Sequence, residues 1–416
     1  MIYNQKIEVL FSKSDSLVLD AQSKMCNWLY NHLLELSNDD YFNNGNSLKL
    51  QSGRNLRNQV PIIKKDYPFL NSVFSSPLKN VAIRLNDTFK RYFKNLGGRP
   101  NFRSWKKNWF SLYYDEPNKG FKINYKELTI SLGKDSYNKQ IRIKGILKEK
   151  VKSDKIKTFR LTKEKNTFYA VFTLESETPK IVEESKNFIS IDQNHKNFFV
   201  GIDSNGNTFE FVKLYQTKYF DKIIDDLKSK RDKCNKKHKK KTTLSGKTYY
   251  VPNRRWVKLD NAIKKVQNRR REQIKSIMYS IAHYLTDNYD HIIIGNYVPT
   301  KHTAKYDTMH RSMLNQTHIG EFRSILKWVC TKKGKLYSLV DEKDTTKTCS
   351  VCGHKEKKDP IIREYTCPNC NTYMLRDVNS AINISKKESK VVLMPILDKI
   401  VYYGHFDIDN YKLMVN

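Results

Sequence analysis

Residues Ile2 to Phe11 alternate apolar and polar side chains, a period of two that predicts a strand. From Ser14 the period changes, and Val18, Ala21, Met25, Trp28, Leu29, Leu33 and Leu36 recur at intervals of three and four, predicting an amphipathic helix. A second helix is expected to open with Ser76 as N-cap and Pro77 at its first position. It would carry Leu78, Val81, Leu85, Phe89 and Leu96 inward and stop at Gly97-Gly98. Alternation returns over residues 120–178 in LTISL, KQIRIKG, KTFRLT and FYAVFTLE, consistent with a small β-barrel. The first strand could join that barrel, with the helical unit as an insertion.

The pattern changes again at Phe188. FISID, NFFVGID and TFEFVK read as three short strands, the last two joined by the hairpin signal Ser204-Asn205-Gly206-Asn207. Trp256, Leu259, Ile263, Val266, Ile274, Ile277, Ile281 and Leu285 mark one helix of about 30 residues, roughly 45 Å long. HIIIGNYV then predicts a buried strand, Ile319 to Cys330 a helix, KLYSLVDE a strand, and the segment from about Arg376 a helix. Strand, strand, strand, helix, strand, helix, strand, helix is the element order of an RNase H-like domain. No internal repeat is visible.

Charge sharpens this picture. With 77 Lys plus Arg against 43 Asp plus Glu, the net charge of +34 exceeds what solubility requires and implies a polyanionic partner, most plausibly nucleic acid. Being 38% hydrophobic, the chain of 416 residues is long enough for two or three cored domains. No run of about 18 apolar residues and no signal-peptide pattern is present, so an intracellular protein without a membrane partner is expected. Arg99, Arg103, Lys106 and Lys107 interleave with Phe102, Trp105, Trp109, Tyr113 and Tyr114, pairing cations for phosphates with flat faces for bases. The same aromatics would also suit a strand core. Lys228 to Lys241 holds nine Lys or Arg in fourteen residues, as phosphate contact or as a solvated run. Arg269, Arg270 and Arg271 interrupt the apolar stripe of the long helix, and with Arg254 and Arg255 at its start they are candidate backbone contacts.

The most specific motif is Cys349-x2-Cys352, fourteen residues, Cys367-x2-Cys370. Two such knuckles complete a tetrahedral four-thiolate zinc site, closed to substrate and therefore structural. The remaining Cys26, Cys234 and Cys330 read as ordinary thiols. Two carboxylates fall where an RNase H-like nuclease needs them: Asp192 at the end of the first strand and Asp377 at the start of the helix in LRDVNSAINI. A pair of Mg2+ ions requires several converging acids, yet HIIIGNYV ends in Gly295 where a third is expected. In this topology KLYSLVDE lies beside HIIIGNYV, about 4.8 Å away, so Glu342 at its end could span the offset. Glu321, on the helix between the two strands, is the competing candidate.

ISIDQNHKNFFVGID, DEKDTTKTCSVCGHK, CPNC and RDVNSAINI resemble the split RuvC motifs and inserted zinc ribbon of TnpB (OrfB-type) transposon-encoded RNA-guided DNA nucleases, relatives of Fanzor proteins and type V CRISPR effectors. The likeness covers residues 186–385 and extends more weakly over the first 185 residues, through the barrel, the helical insert and GRPNFRSW. It implies an α+β multidomain fold: a wedge β-barrel (1–12 and 106–184), a helical recognition insert (13–105), a RuvC-like domain (185–342 and 373–416) and a target-nucleic-acid-binding zinc ribbon (343–372). In a subset of that family the catalytic glutamate looks shifted to just before the ribbon. Glu342, 47 residues after Gly295, stands in that position. The resemblance further implies cleavage of double-stranded DNA beside a short adjacent motif, by Asp192, Glu342 and Asp377 with Mg2+. A monomer would hold a guide RNA from the transposon end, in the bacterial cytoplasm at the nucleoid or in a eukaryotic nucleus. Competing readings are a nuclease-inactive RNA-guided repressor and an RNA-independent transposase or zinc-ribbon DNA-binding factor.

Overall fold

The computed structural model describes residues 1–416 except 46, 105–108, 136, 153–154, 165–166, 178, 184, 195–196, 212–215, 243–245, 247, 299–317, 359–361, 390–392, 397–399 and 408–411. The chain forms two compact units, Met1–Glu177 and Thr178–Asn416.

In the first unit, β1 (Ile2–Leu10) leads into α1 (Lys13–Asn43), α2 (Gly53–Asp66) and α3 (Ser75–Phe93). Six further strands follow: β2 (Ser111–Tyr114), β3 (Phe121–Asn124), β4 (Glu127–Lys134), β5 (Gln140–Leu147), β6 (Ile156–Glu164) and β7 (Thr167–Glu175). They pair antiparallel in the order β2-β6-β7-β1-β5-β4-β3. The N-terminal strand therefore lies inside the sheet, with Ile2 opposite Glu175 and Val9 opposite Leu147. No ladder joins β2 to β3 among the described residues, but the sheet curls until Tyr114 and Phe121 both pack on Phe159, each with ring centroids 5.3 Å apart. Helices and sheet share one core, in which Leu29, Leu33, Leu56 and Leu85 meet Leu128, Phe159 and Phe172. Burial of each such side chain contributes about 1.5–3 kcal/mol.

The helix expectations need correction. The α3 helix starts at Ser75, so Ser76 is not its cap; Ser76 is buried, with its hydroxyl 3.4 Å from Glu116. It ends at Phe93, because Asn95 takes the left-handed conformation (φ 54°) before Gly97 is reached, leaving Leu96 exposed. On α1 the buried face includes Leu19, Gln22, Ser23, Cys26 and Tyr30, whereas Val18 is exposed. Polar residues on an inward face disguise its period. Pro61 and Gly53 similarly conceal α2.

The second unit is built on β8 (Phe188–Gln193), β9 (Phe199–Asp203), β10 (Thr208–Phe211), β13 (His291–Gly295) and β14 (Leu336–Val340). Between β10 and β13 come α4 (Gln216–Asp232), the exposed hairpin β11 (Lys239–Thr242) and β12 (Thr248–Val251), and α5 (Arg254–Asn288). Asn253 caps α5 by accepting the Trp256 N–H at 2.7 Å. Helix α6 (Ile319–Lys333) links β13 to β14; the small hairpin β15 (Glu364–Thr366) and β16 (Tyr373–Leu375) precedes α7 (Arg376–Ser389). The tail after Ser385, to which the sequence assigned no role, adds β17 (Tyr402–Asp407) and β18 (Lys412–Val415). The sheet order is β14-β13-β8-β9-β10-β17-β18, with β13 parallel to β8 and to β14, and β9 antiparallel to β8 and β10.

Every residue of β8 is buried, because both sheet faces are covered. Ile189, Ile191, Ile292 and Ile294 face α5 and α6, whereas Phe188, Ile293 and Val340 face Ala381 and Ile382 of α7. This alternation puts Asp192, Gly295 and Glu342 on the α7 side at one end of three adjacent parallel strands.

Candidate metal centres and nucleic-acid contacts

Asp192 lies on the central strand and is 5% exposed. Burial pushes its carboxyl well above the usual range, and the negative charges of Glu342 and Asp377 push the same way. The polar Ser380 side chain, on α7, offsets part of that rise. An acid just past β14 and one in the first turn of α7 thus both act on the acid in β8. Like charges gathered in a buried site are stabilised by protonation, by a cation among them or by paired guanidinium groups.

Gly295 explains how Glu342 reaches this position. Ile294 pairs with Ile191 and Gly295 with Val340, so β13 lies between the strands that carry the two acids. A Cβ built on Gly295 would coincide with the Glu342 carboxyl, whose side chain lies back over the glycine. The Asn296 side chain accepts the Glu342 backbone N–H at 3.2 Å. Burial raises the Glu342 carboxyl to about 7, although Tyr297 donates a backbone hydrogen bond and Arg323 is nearby. Oε1 has no hydrogen-bond partner among the described residues. A buried carboxylate oxygen left in this way is ready to accept a cation. Glu321 is placed elsewhere: it is exposed, pairs with His318 at 3.3 Å and acts on Tyr279 of α5, on the opposite face of the sheet.

Asp377, 7% exposed, is engaged by arginines: Arg363 binds Oδ2 and Arg376 donates to Oδ1 at 3.2 Å. Asn194 donates to Oδ2 at 3.3 Å. The sequence reading missed Arg363 and Arg376, since a basic residue carries little signal in so basic a chain.

The four cysteines come together, with their sulfurs within 4.8 Å of one another. Cys349 and Cys370 are 3.8 Å apart and Cys352 and Cys367 3.6 Å. A tetrahedron with zinc–sulfur bonds of about 2.3 Å has edges of about 3.8 Å, so the cluster fits a zinc ion. Side-chain hydrogen bonding from Asn369 and the backbone around His354 pull the Cys352 thiol down to about 6, which favours the thiolate a metal needs.

Buried amides join this cluster to the acids. Asn379 accepts from the Ser350 N–H at 2.7 Å and the Tyr365 hydroxyl at 3.1 Å, and donates to the Thr348 carbonyl at 2.9 Å. Asn383 donates to the carbonyls of Thr345 and Thr348 at 2.8 and 2.7 Å. Thr345 Oγ1 lies 3.0 Å from Ser380 Oγ. The helix that begins with Arg376 and Asp377 therefore also grips the lead-in to the ribbon.

Of the residues expected to contact nucleic acid, Trp105, Lys106 and Lys107 lie outside the described residues. Arg99 donates to Asn38 at 3.0 Å, and Arg103 lies over Tyr30. On α5, Arg254, Arg255, Arg269 and Arg271 are exposed. Arg270 instead turns toward α4, with Nε buried 3.2 Å from Asp221.

A family model described as Cas12f1-like, TNB domain matches residues 320–384. The chain is 28% identical over 235 residues to TnpB-like protein L79 of Acanthamoeba polyphaga mimivirus, covering 55% of this chain and 43% of that protein. It is 27% identical over 224 residues to TnpB-like protein MJ0751 of Methanocaldococcus jannaschii, covering 51% and 74%. The matched region spans less than half the length of the mimivirus relative. A solved structure of a Cas12f1-sgRNA-target DNA complex shares the fold, with 14% identity and a TM-score of 0.60 over 90% of this chain and 83% of that one. These likenesses relate the chain to TnpB-type proteins and to type V effectors.

Proposed function

We propose that this protein is an RNA-guided DNA endonuclease encoded by a transposable element. In this reading Met1–Glu177 supplies the wedge and recognition parts and Thr178–Asn416 a RuvC-like nuclease with its target-nucleic-acid-binding ribbon. The observation that carries it is the meeting of Asp192, Glu342 and Asp377 at one strand end, with Glu342 in the space left by Gly295. The strand order β10-β9-β8-β13-β14, which is that of an RNase H-like sheet, supports the same reading.

Bound Mg2+ ions supply an activated water and stabilise the leaving oxygen of a phosphodiester. Asp192 and Glu342 would hold them with buried oxygens that few protein groups satisfy. Asp377 would exchange its contacts with Arg363 and Arg376 for a cation, leaving two guanidinium groups beside the scissile phosphate. The four thiolates would hold a structural zinc that keeps Arg363 and Asp377 in register. Base pairing with a guide RNA chooses the target, while the protein grips backbone and reads a short adjacent motif.

The test is to purify the full chain, sequence the RNA bound to it and challenge the complex with duplexes that match or mismatch that RNA. Mg2+-dependent cutting of matched duplexes alone supports the proposal. Matched binding without cutting would favour a guided repressor. Purification without a defined RNA would favour a transposase or DNA-binding factor.

A further inference from the structure

The ladder of the sheet stops short of Glu342. Strand β14 ends at Val340, whose carbonyl accepts the Asn296 N–H at 2.9 Å. Glu342 lies two residues further on, so strand pairing does not fix its main chain. An acid at position 295 would be held within β13 by pairing with Val340; an acid past a strand end needs other supports.

Side chains supply them. Lys387 sits in the last turn of α7, where a lysine ordinarily faces the terminal carbonyls of its own helix. Here its Nζ donates instead to the Asp341 carbonyl at 2.7 Å and the Lys343 carbonyl at 2.8 Å. These are the carbonyls immediately before and after Glu342, so one ammonium group bridges the residue. Among the described residues Lys387 forms no ion pair and has no other hydrogen-bond partner. Its neighbour Lys386 reaches a different segment, the Ser350 carbonyl within the cysteine ribbon.

The carbonyl of Glu342 itself is held by Thr345, which is buried. Thr345 donates to it from the N–H at 3.2 Å and from Oγ1 at 2.9 Å, closing a turn in which Asp344 takes φ 64°. The Ser380 hydroxyl donates to Thr345 Oγ1 at 3.0 Å, and the same Ser380 side chain acts on Asp192. The Asn296 side chain accepts the Glu342 N–H at 3.2 Å, and the Asp341 side chain the Lys343 N–H at 3.3 Å. From the Asp341 carbonyl to the Lys343 carbonyl, each main-chain polar group thus has a side-chain partner. A ligand on unpaired backbone loses conformational freedom whenever it takes up a cation, and hydrogen bonds that fix the backbone beforehand remove that cost.

We propose that Lys387 and Thr345 are positioning residues for Glu342, holding its main chain in place of the strand pairing it lacks. The inference rests on the reading of Glu342 as a metal ligand. It gives Lys387 a role that its charge alone would oppose, since a positive group near a cation site repels the cation. Lys387 therefore aids cation binding through the carbonyls it holds. On sequence alone it is one of two basic residues closing a helix.

The test uses the full-length chain without RNA or DNA and reads two quantities: amide hydrogen exchange by mass spectrometry, and Mn2+ affinity by electron paramagnetic resonance. In Lys387→Met, exchange over residues 341–345 should quicken while β13 and the cysteine ribbon exchange as in the wild type. Mn2+ affinity should fall by about 10–100-fold, the usual effect of removing a group that orients a ligand. Thr345→Val should behave likewise, whereas Lys387→Arg and Thr345→Ser, which keep the donors, should stay close to the wild type. Lys386→Met, the matched control, should quicken exchange in the ribbon and not at 341–345. Tighter Mn2+ binding in Lys387→Met would overturn the proposal, because that is the response to a lysine acting by charge alone. Wild-type exchange at 341–345 in both Lys387→Met and Thr345→Val would overturn it too, as would faster exchange with unchanged Mn2+ affinity. Glu342→Ala separates this from the reading beneath it: if that variant binds Mn2+ as the wild type does, the metal-ligand reading fails, and exchange alone judges whether Lys387 and Thr345 hold the segment.

Discussion

The Glu342 carboxyl stands where a side chain on Gly295 would have to be. The strand that lacks an acid and the strand that supplies one are neighbours in the sheet, paired from His291 with Leu336 to Gly295 with Val340. In the proposed site, glycine at 295 therefore makes room for the third acid: only a residue without a Cβ lets Glu342 lie back across β13 as it does.

Gly295→Ala should consequently reduce cleavage by about two orders of magnitude, since displacement of a positioned catalytic group by about 1 Å has that effect. Its unfolding free energy should change far less than its activity. The converse variant, Gly295→Glu in a Glu342→Ala background, should cut better than Glu342→Ala alone. Unchanged activity in Gly295→Ala, measured in single-turnover cleavage, would show that Glu342 does not need the space.

Removal of zinc should loosen the ribbon and the helix that carries Asp377. Metal analysis is expected to find about one zinc per chain, and Cys352→Ser should lose it. Limited proteolysis should then cut within residues 343–372 before it cuts β8 or β13. A full-length chain that holds no zinc yet resists proteolysis there would contradict the four-thiolate site.

Asn379 is the second link between ribbon and helix. Replacing it by Ala leaves the buried Ser350 N–H without an acceptor and the Thr348 carbonyl with only Asn383, a loss of about 1–3 kcal/mol per unsatisfied group. Urea unfolding should show that loss. Asn379→Asp should be destabilising too, because it removes the donor to Thr348 and Thr345 and buries a charge. Stability equal to the wild type in both variants would mean that these hydrogen bonds do not hold the ribbon.

A chain ending after Ser389 would lose Leu393, Ile400 and the strand paired with β10. Tyr402 stacks on Phe209 with centroids 4.9 Å apart, so truncation exposes that ring together with an open strand edge. The shortened protein should aggregate or melt several degrees lower, as differential scanning fluorimetry and light scattering would show. An equally stable, monomeric product would make the tail dispensable.

Much of the second unit was legible because its strands are short apolar runs bounded by turn residues. The hairpin at 204–207 is one example: Asp203 accepts the N–H groups of Asn205 and Asn207, and Gly206 takes φ 84°. The cysteine spacing was equally direct. Glu342 was singled out by strand adjacency together with the family resemblance, since an RNase H-like topology puts β14 beside β13. Other features left no periodic trace. Helix α1 buries Gln22, Ser23 and Ser37, and α7 buries Asn379, Ser380 and Asn383, so hydrophobic period underestimates both inward faces. The pairing of Arg363 with Asp377 joins a ribbon hairpin to a helix, and that of Arg270 with Asp221 joins two helices, contacts that residue spacing does not encode. The tail strands become strands through pairing with β10, where Tyr402 meets Phe209.

The most direct measurement is guided cleavage and guided binding by Glu342→Ala, beside Asp192→Ala, Asp377→Ala and a matched Glu321→Ala control, in Mg2+. Loss of a metal ligand affects the transition state rather than the grip on the duplex, so the first three variants should bind matched DNA nearly as the wild type does and fail to cut it. Their combinations should lose no more than the single variants. Glu321→Ala, on the other face of the sheet, should retain cleavage. Cleavage retained in Glu342→Ala but lost in Glu321→Ala would contradict the placement of the third acid over Gly295.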